Sequence, residues 1–269
     1  MNAPLYRSFF GFRKEPFGSD LSQDDILKTP ALEAVGGRFD YVQSLGAVGL
    51  VTGEVGSGKS TALRWASSRL HPSEYLTVWV TASGGSILEL YRQIAAVFDV
   101  ETRSFSRAAL RHIIHHGIKE MLHKKIHPVL IIDEASLMRL EVFSELHTLC
   151  QFEADSKPHL PMILAGQNNL LDSLQYRSSL PLASRIVAKT HLEGIDRDEM
   201  TQYLAHHLKI AGVKTQLFSP ETITAIQQGS GGLLRRANNL ARGALVAAAN
   251  EKCQQVAAEH VRLASTELI

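Results

Sequence analysis

The sequence has only two cysteines, Cys150 and Cys253, far apart in a chain of 269 residues. Their separation matches neither a disulfide framework nor a metal-binding or redox spacing, so we expect buried thiols. No apolar run is long enough to span a bilayer, and the segment 1–7 lacks the apolar core of a signal peptide. These absences predict a cytoplasmic protein that has no membrane partner.

An excess of charge of one sign is also missing, because 28 basic residues face 27 acidic ones and the formal net charge is +1. The whole-domain basicity typical of nucleic-acid binders is therefore absent, although a local basic strip is compatible with this balance. Five of the 12 histidines lie between residues 112 and 127. A solvated helix face is favoured over a metal site there, and Lys124-Lys125 is interpreted as the solvated end of that helix.

Short apolar runs alternate with amphipathic helical patterns, which predicts an α/β fold with a parallel sheet covered by helices. The predicted strands are Val48–Val51, Leu76–Val80, Val129–Ile132, Met162–Ala165 and Ile186–Thr190. Helices are predicted between them over Ile87–Phe98, Ala108–Leu122 and Glu141–Phe152.

After Leu192 the pattern becomes helical throughout. Asp196 and Glu199 predict a capping box at the start of a helix. In such a box the side chain of each residue accepts a hydrogen bond from the backbone N–H of the other. We therefore expect two domains, an αβα nucleotide-binding domain over residues 1–192 and a small helical domain over residues 193–269.

A phosphate-binding pattern, G-x-x-x-x-G-K-[ST], occupies residues 53–60. An apolar run precedes it and a helical pattern follows it, which makes an incidental glycine-rich turn the weaker alternative. Glycines let backbone N–H groups turn towards phosphate oxygens, and the helix N-terminus adds partial positive charge. The residues expected to bind ATP are Gly53, Glu54, Val55, Gly56, Ser57, Gly58, Lys59, Ser60 and Thr61, together with Asp133.

Two carboxylates follow the apolar run Val129–Ile132, namely Asp133 and Glu134. In a parallel sheet the carboxyl end of a strand faces the ligand crevice. Lys59 would reach the β- and γ-phosphates, and Ser60 and Asp133 would hold Mg²⁺. Glu134 would orient or deprotonate the attacking water. An ordinary surface acid at a strand end is the alternative for this pair.

Three further polar residues have weaker signals. Gln167 follows the fourth predicted strand and would hydrogen-bond the water or the γ-phosphate, although spacing alone favours a turn-capping role. Arg185 precedes the fifth strand, and Arg235 opens a helix of the second domain. Each arginine is either a solvated surface charge or a group that stabilises phosphate charge.

Taken in order, these residues resemble those of AAA+ ATPases. Residues 53–60 are similar to Walker A, and Ile132-Asp133-Glu134 to the end of Walker B. Gln167 falls at sensor 1, where the family usually has Asn, Thr or Ser. Arg185 falls at the arginine-finger position, and Gly232-x-x-Arg235 is similar to sensor 2. Leu234 stands where relatives often have Pro, and the adjacent Arg236 leaves two arginines available for sensor 2.

Three segments, residues 6–17, 192–197 and 231–240, resemble the ExeA-like ATPases more closely. One branch of that group energises the assembly of a secretion channel and usually carries a transmembrane segment and a cell-wall-binding domain, neither of which occurs here. The other branch accompanies transposases of the Mu and Tn type. The chain looks like the second branch, with an ExeA-like assembly ATPase for a secretion or envelope complex as the alternative.

The resemblance implies a five-stranded parallel sheet followed by a helical lid. From the residues themselves, the N-terminal aromatics suit a strand-like stretch, in segment 1–45, packed over the adenine pocket. The resemblance also implies Mg²⁺-dependent ATP hydrolysis in a ring or helical filament of this chain, with Arg185 entering the neighbouring copy's site. Duplex DNA, contacted through its backbone, and a transposase with other transposition proteins are the implied partners.

The DNA-contacting residues implied by this resemblance are Thr81, Ser83, Arg103, Ser104 and Arg107. They lie in two loops, one after the second strand and one in the helical insertion that follows. Small hydroxyls, backbone N–H groups and arginines suit phosphate contact without base reading. A pair of ordinary polar surface loops is the alternative.

Overall fold

The computed structural model describes residues 3–82, 86–98 and 106–267. Each predicted strand is confirmed there. The three central strands are buried almost throughout, and strands buried on both faces of a parallel sheet need apolar residues at nearly every position. The strands are β1 (Val48–Gly53), β2 (Tyr75–Thr81), β3 (His127–Asp133), β4 (Met162–Gly166) and β5 (Ile186–Leu192).

The five strands form one sheet in the order β2-β3-β4-β1-β5, and every described pairing is parallel. β1 is buried along its whole length and lies between β4 and β5. β3 is separated from β1 by β4 alone, so their carboxyl ends open on the same edge of the sheet. The predicted five-stranded parallel sheet with flanking helices is therefore confirmed.

Helices connect and follow the strands, and each predicted amphipathic stripe forms one. The helices are α1 (Ala3–Phe10), α2 (Pro30–Leu45), α3 (Lys59–Ser68), α4 (Ile87–Val97), α5 (Arg107–His123), α6 (Leu140–Leu149), α7 (Asn169–Gln175), α8 (Leu180–Ala183), α9 (Arg197–Ile210), α10 (Pro220–Ser230), α11 (Leu234–Asn250) and α12 (Ala258–Thr266). No helix of the described residues has the length and apolar character needed to cross a bilayer.

The chain divides into two compact units. The sheet unit comprises Thr29–Gly53 and Lys59–Leu192, and the helical unit comprises Met1–Lys28, Glu54–Gly58 and Glu193–Ile269. The last stretch of the sheet unit ends at Leu192. Residues 1–28, expected with the first domain, group instead with the C-terminal helices.

The core of the sheet unit is a single hydrophobic cluster that joins strands and helices. Its helical members repeat every three or four residues, as an amphipathic helix requires. Leu110, Ile114 and Ile118 of α5 and Phe143 and Leu146 of α6 are fully buried. This core fixes the strands whose carboxyl ends carry the predicted chemistry.

The N-terminal aromatics form a helix and a turn, so the predicted strand-like stretch is wrong. Tyr6 and Phe10 lie four residues apart on α1, and both are buried, together with Phe12 and Phe17, in the core of the helical unit. Residues four apart share one face of a helix, so both rings enter the same core. α1 ends at Phe10, and the following Gly11 has a φ of +73°, which suits a residue without Cβ.

Polar contacts also hold this N-terminal segment within the helical unit. The Tyr6 hydroxyl donates to the carboxylate of Glu15, which raises the pKa of Tyr6 in addition to the larger effect of burial. Arg242 of α11 donates from Nη2 to the carbonyl oxygen of Phe17 at 2.6 Å, and its Nε lies 3.6 Å from Glu15 Oε1. These contacts give Tyr6, Glu15 and Phe17 of the ExeA-like segment 6–17 a structural role within the helical unit.

Two of the ExeA-like segments pack on each other in the helical unit. The Ile195 N–H donates to the Gly232 carbonyl oxygen at 3.0 Å. A Cβ on Gly232, whose φ is +75°, would lie 2.3 Å from the Ile195 oxygen, so only glycine fits. The predicted capping box of α9 is confirmed, since Asp196 Oδ1 accepts from the Glu199 N–H at 2.8 Å and Glu199 Oε2 accepts from the Asp196 N–H at 3.1 Å.

His207 of α9 predicts acid sensitivity of the helical unit. Burial, with a smaller effect of the neighbouring His206, lowers the pKa of His207 to about 4, and its ring stacks on Phe17 at 5.1 Å. An unfolded chain takes up this proton near pH 6.5, so stability is present above that pH and falls as the pH drops towards 4. The full loss amounts to roughly 3 kcal/mol.

We therefore expect His207→Leu to flatten the fall of the free energy of unfolding between pH 6.5 and 4.5, measured by urea denaturation. His112→Leu, which replaces an exposed histidine of α5, serves as the control and should leave the slope unchanged. Equal slopes in wild type and His207→Leu would contradict the assignment.

Candidate nucleotide-binding site

The loop after β1 follows the conformation that its glycines permit. Gly56 has a φ of +85° and Gly58 a φ of +97°, both in the left-handed region that disfavours residues with a Cβ. A Cβ on Gly56 would lie 2.8 Å from Arg235 Cβ, within the helical unit. Glycine at this position is therefore required by conformation and by close approach.

Lys59 of the sheet unit and Ser57 of the helical unit are both buried polar residues of the glycine motif. Lys59 is 7% exposed, and its Nζ donates to the carbonyl oxygen of Gly53 at 2.9 Å. Ser57 is also 7% exposed, and its Oγ has no hydrogen-bond partner among the described residues. A buried ammonium and a buried, unpaired hydroxyl are costly unless an anion or another polar group meets them. Thr61 is half-buried in the first turn of α3.

Ser60 and Asp133, predicted from two separate motifs, meet in the sheet unit. Ser60 Oγ donates to Asp133 Oδ2 at 2.7 Å, and Asp133 Oδ1 accepts from the Glu134 N–H at 2.9 Å. Asp133 is 8% exposed at the end of the fully buried part of β3. A hydroxyl and a carboxylate oxygen side by side are a donor set that Mg²⁺ accepts.

Glu134 and Gln167 follow the adjacent strands β3 and β4. Glu134 has a φ of +54°, so the chain turns sharply as it leaves β3, and its side chain is half-buried. Gly166 ends β4, and a Cβ there would lie 2.8 Å from the Ser136 backbone nitrogen. The missing side chain lets the turn after Glu134 pack directly against the end of β4, next to the half-buried Gln167.

Arg185 lies between α8 and β5, and it is held by two side chains of its own sheet unit. Its Nη2 donates to both carboxylate oxygens of Asp155 at 2.6 Å, and its Nε donates to His147 Nδ1 at 3.1 Å. Neither partner could be predicted from a motif, because they precede Arg185 by 30 and 38 residues.

Arg235 and Arg236 are both exposed at the start of α11. The Arg235 N–H donates to the Gly56 carbonyl oxygen at 3.1 Å, which fixes the start of α11 against the glycine loop within the helical unit. Arg235 is thus the one of the two arginines whose backbone contacts that loop.

The predicted DNA-contacting residues are only partly described. Thr81 is exposed at the end of β2, and Arg107 begins α5, where its Nη1 lies 3.6 Å from Glu145 Oε1. Ser83, Arg103 and Ser104 lie outside the described residues.

Sequence reasoning missed one hydrogen bond at the same edge of the sheet. Thr52 Oγ1 of β1 lies 3.0 Å from His191 Nδ1 of β5, and the threonine is fully buried. Thr52 immediately precedes the glycine loop, so this bond fixes the point where the loop leaves the sheet. No motif marks either residue, because the contact arises only from the pairing of β1 with β5.

The two cysteines lie in different surroundings. Cys150 is buried, and burial raises the pKa of its thiol to about 12, whereas Cys253 is half-buried near Glu251 and His260. His260 Nδ1 accepts the Ala257 N–H at 2.9 Å, so its Nε2 carries the proton and faces the Glu251 carboxylate at 3.1 Å. This imidazole is therefore a hydrogen-bonding bridge.

On α5, exposed histidines face outwards, while one half-buried ring packs inwards. That ring belongs to His115, which stacks on Phe152 at a centroid distance of 4.4 Å. Burial, the largest effect, lowers the pKa of His115. The exposed rings are those of His112, His116 and His123, as a solvated helix face predicts.

The sheet order, the glycine loop and the paired Ser60 and Asp133 define the AAA+ P-loop fold. Residues 42–174 match the protein-family profile described as an AAA domain. This match covers the segment that holds the glycine loop, Ser60 and Asp133, where the motifs predict such a domain.

Similar proteins extend the likeness beyond that domain. General secretion pathway protein A of Aeromonas hydrophila is 26% identical over 269 residues, which cover 98% of this chain and 48% of that protein. The chain thus spans about half the length of this curated relative. The subgroup that accompanies transposases stays a prediction.

Solved structures share the fold at low sequence identity. Cdc6p from Pyrobaculum aerophilum has a TM-score of 0.76 at 17% identity, with 94% of this chain and 70% of that chain covered. ORC1 from Aeropyrum pernix, solved in complex with DNA, has a TM-score of 0.72 at 17% identity, with 96% and 70% covered. At such identities the likeness concerns the fold.

Gly56→Ala should weaken ATP binding by roughly tenfold or more, because the added Cβ strains the left-handed backbone and meets Arg235. A fluorescent-nucleotide titration measures the affinity, and circular dichroism checks the fold. Gly37→Ala is the control, since its Cβ meets no atom on the exposed face of α2; it should stabilise the chain by about 0.5 to 1 kcal/mol. Unchanged affinity in Gly56→Ala would contradict the role of the loop.

Proposed function

We propose that this chain is an ATP-dependent DNA-binding ATPase that oligomerises on duplex DNA and regulates transposition through target selection and transposase recruitment. The observation that carries the hydrolytic part is the 2.7 Å contact between Ser60 and Asp133 next to the buried Lys59. The chain brings these groups together from two motifs that are far apart in sequence, as phosphoryl transfer by P-loop proteins requires.

The residues of the glycine loop would hold the phosphates of ATP, from Gly53 to Thr61. Lys59 would neutralise the β- and γ-phosphates, and Ser60 with Asp133 would hold Mg²⁺. The bound metal would supply charge neutralisation on the phosphate oxygens. The half-buried Glu134 would accept a proton from the attacking water, and Gln167 would orient that water by a hydrogen bond.

Two arginines would complete the site when copies of the chain assemble. Arg185 would act on the nucleotide of the neighbouring copy, where its planar guanidinium suits phosphate oxygens. Arg235 would act as sensor 2, a role that its backbone bond to Gly56 supports. A ring or a helical filament of this chain is the assembly that such a shared site needs.

Charge distribution supports the DNA-binding part. Residues 107–127 hold five lysines and arginines against a single glutamate, whereas the whole chain has a formal charge of +1. Three of these basic residues, Arg107, Arg111 and Lys119, lie on α5, and the other two follow its end. Repeated in neighbouring copies, a modest positive patch of this kind would attract the DNA backbone without reading bases. Thr81 would add a hydroxyl contact, and the remaining predicted contacts are Ser83, Arg103 and Ser104.

The role in transposition rests on the resemblance of the motifs in residues 6–17, 192–197 and 231–240. We propose a transposase and further transposition proteins as partners, and the cytoplasm as the location. The division into residues 1–192 and 193–269 would separate nucleotide binding from the helical lid, with residues 1–28 packed as part of that lid.

A second function is favoured by a specific observation, the likeness to general secretion pathway protein A over 98% of this chain. On this alternative the chain is an assembly ATPase for a secretion or envelope complex and acts on protein. Stimulation of ATP turnover by duplex DNA separates the two functions, because an assembly ATPase of this kind has no reason to respond to DNA.

Glu134→Gln should lower ATP turnover by at least about a hundredfold while ATP still binds, because the general base is lost. DNA retention, measured by fluorescence anisotropy with labelled duplex, should outlast that of the wild type. Glu141→Gln makes the same charge change on the exposed face of α6 and should turn over ATP normally. Rapid hydrolysis by Glu134→Gln would remove Glu134 from its role.

DNA binding should require ATP and fall steeply with salt, because counterions are released from the backbone. Lys59→Ala should therefore lose ATP-dependent DNA binding together with nucleotide binding. Size-exclusion chromatography with ATP and duplex DNA measures the assembly. A free monomer under these conditions would contradict the proposed oligomer.

Arg185→Ala should bind ATP without turning it over, because the neighbour's site lacks its arginine. Mixing it with Lys59→Ala should restore part of the activity, since an intact Lys59 site then meets an intact Arg185. Turnover is measured across mixing ratios at constant total protein. A lack of recovery at every ratio would show that Arg185 does not act between copies.

A further inference from the structure

Arg185 forms an ion pair with Asp155, in which one guanidinium nitrogen meets both carboxylate oxygens, and a hydrogen bond with His147. Both oxygens of Asp155 lie 2.6 Å from Nη2, and His147 Nδ1 lies 3.1 Å from Nε. The Arg185 side chain is 25% exposed and that of Asp155 is 43% exposed. A carboxylate offers an arginine the same paired acceptors as a phosphate, so Asp155 occupies the position that a phosphate group would compete for.

Asp155 is presented by a loop with unusual backbone geometry. Glu153, Ala154 and Asp155 have φ values of +47°, +55° and +70°, three consecutive left-handed residues with a Cβ. Such conformations persist where surrounding contacts determine them, and they cluster at functional sites. The loop is closed by a bridge between the buried Phe152 and Lys157, and the Arg185 ion pair holds its tip.

His147 is held in the neutral form that this arrangement needs. Its Nδ1 accepts from Arg185, and its ring also hydrogen-bonds the backbone of Pro181, so the second nitrogen carries the proton. Burial, followed by the charge of Arg185, lowers the pKa of His147, while Asp155 opposes that shift. The imidazole thus aligns the guanidinium without repelling it.

We infer that Asp155 and His147 are positioning residues that keep Arg185 docked on its own chain, and that the nucleotide phosphate of a neighbouring copy must displace Asp155 to recruit it. This inference rests on the proposed role of Arg185 between copies. Docking makes a lone chain less ready to assemble an active site, so half-maximal turnover needs a higher chain concentration.

Asp155→Asn tests the docking, because asparagine keeps the shape and tolerates left-handed backbone but removes the charge. ATP turnover per chain is measured against chain concentration at saturating ATP and duplex DNA. We expect the half-maximal concentration to fall by about threefold to fivefold, the effect of a partly exposed ion pair, with the plateau unchanged. Asp40→Asn, which breaks the ion pair between Asp40 of α2 and Arg69, should behave as wild type.

His147→Leu provides a second variant, since it removes the acceptor for Nε and should shift the half-maximal concentration in the same direction. An unchanged concentration in both variants, or a lower plateau, would overturn the docking. Arg185→Ala, measured in parallel, tells the two failures apart. If Arg185→Ala turns over ATP normally, the shared site fails; if it is inactive and Asp155→Asn shows no shift, only the docking fails.

Discussion

The hydrogen bond between Ser60 Oγ and Asp133 joins two segments that lie 73 residues apart in the sequence. It exists because β1 and β3 run parallel with β4 between them, so that both chain ends open at one edge of the sheet. Lys59, held at the Gly53 carbonyl oxygen, adds the positive charge. The site is thus a consequence of sheet order, and a change in that order would separate its members.

The parts of this site that are local in sequence could be predicted. Parallel strands buried on both faces are continuous apolar runs, and the glycine loop has a pattern with few other meanings. Asp133 was placed by its position at the end of such a run. The Asp196 capping box is local too, since both partners lie within one helical turn.

Contacts between distant segments could not be predicted. The aromatics of residues 6–17 suit either a strand or a helix, and the choice was made by their packing and by Arg242, 225 residues beyond Phe17. The three left-handed residues of the loop at Asp155 are Glu, Ala and Asp, so no glycine in the sequence predicted this backbone conformation. That loop positions Asp155 to pair with Arg185. In a lone chain Arg185 is therefore already bound to a carboxylate before a neighbouring copy arrives.

The central claim is that a triphosphate bound along residues 53–60 is completed by Arg185 of a neighbouring copy. Cryo-electron microscopy of the chain with a non-hydrolysable ATP analogue and duplex DNA tests this most directly. The account predicts a ring or filament in which Arg185 has left Asp155 and contacts the neighbour's nucleotide. Single copies with Arg185 still on Asp155, or a glycine loop without nucleotide at saturating analogue, would contradict it.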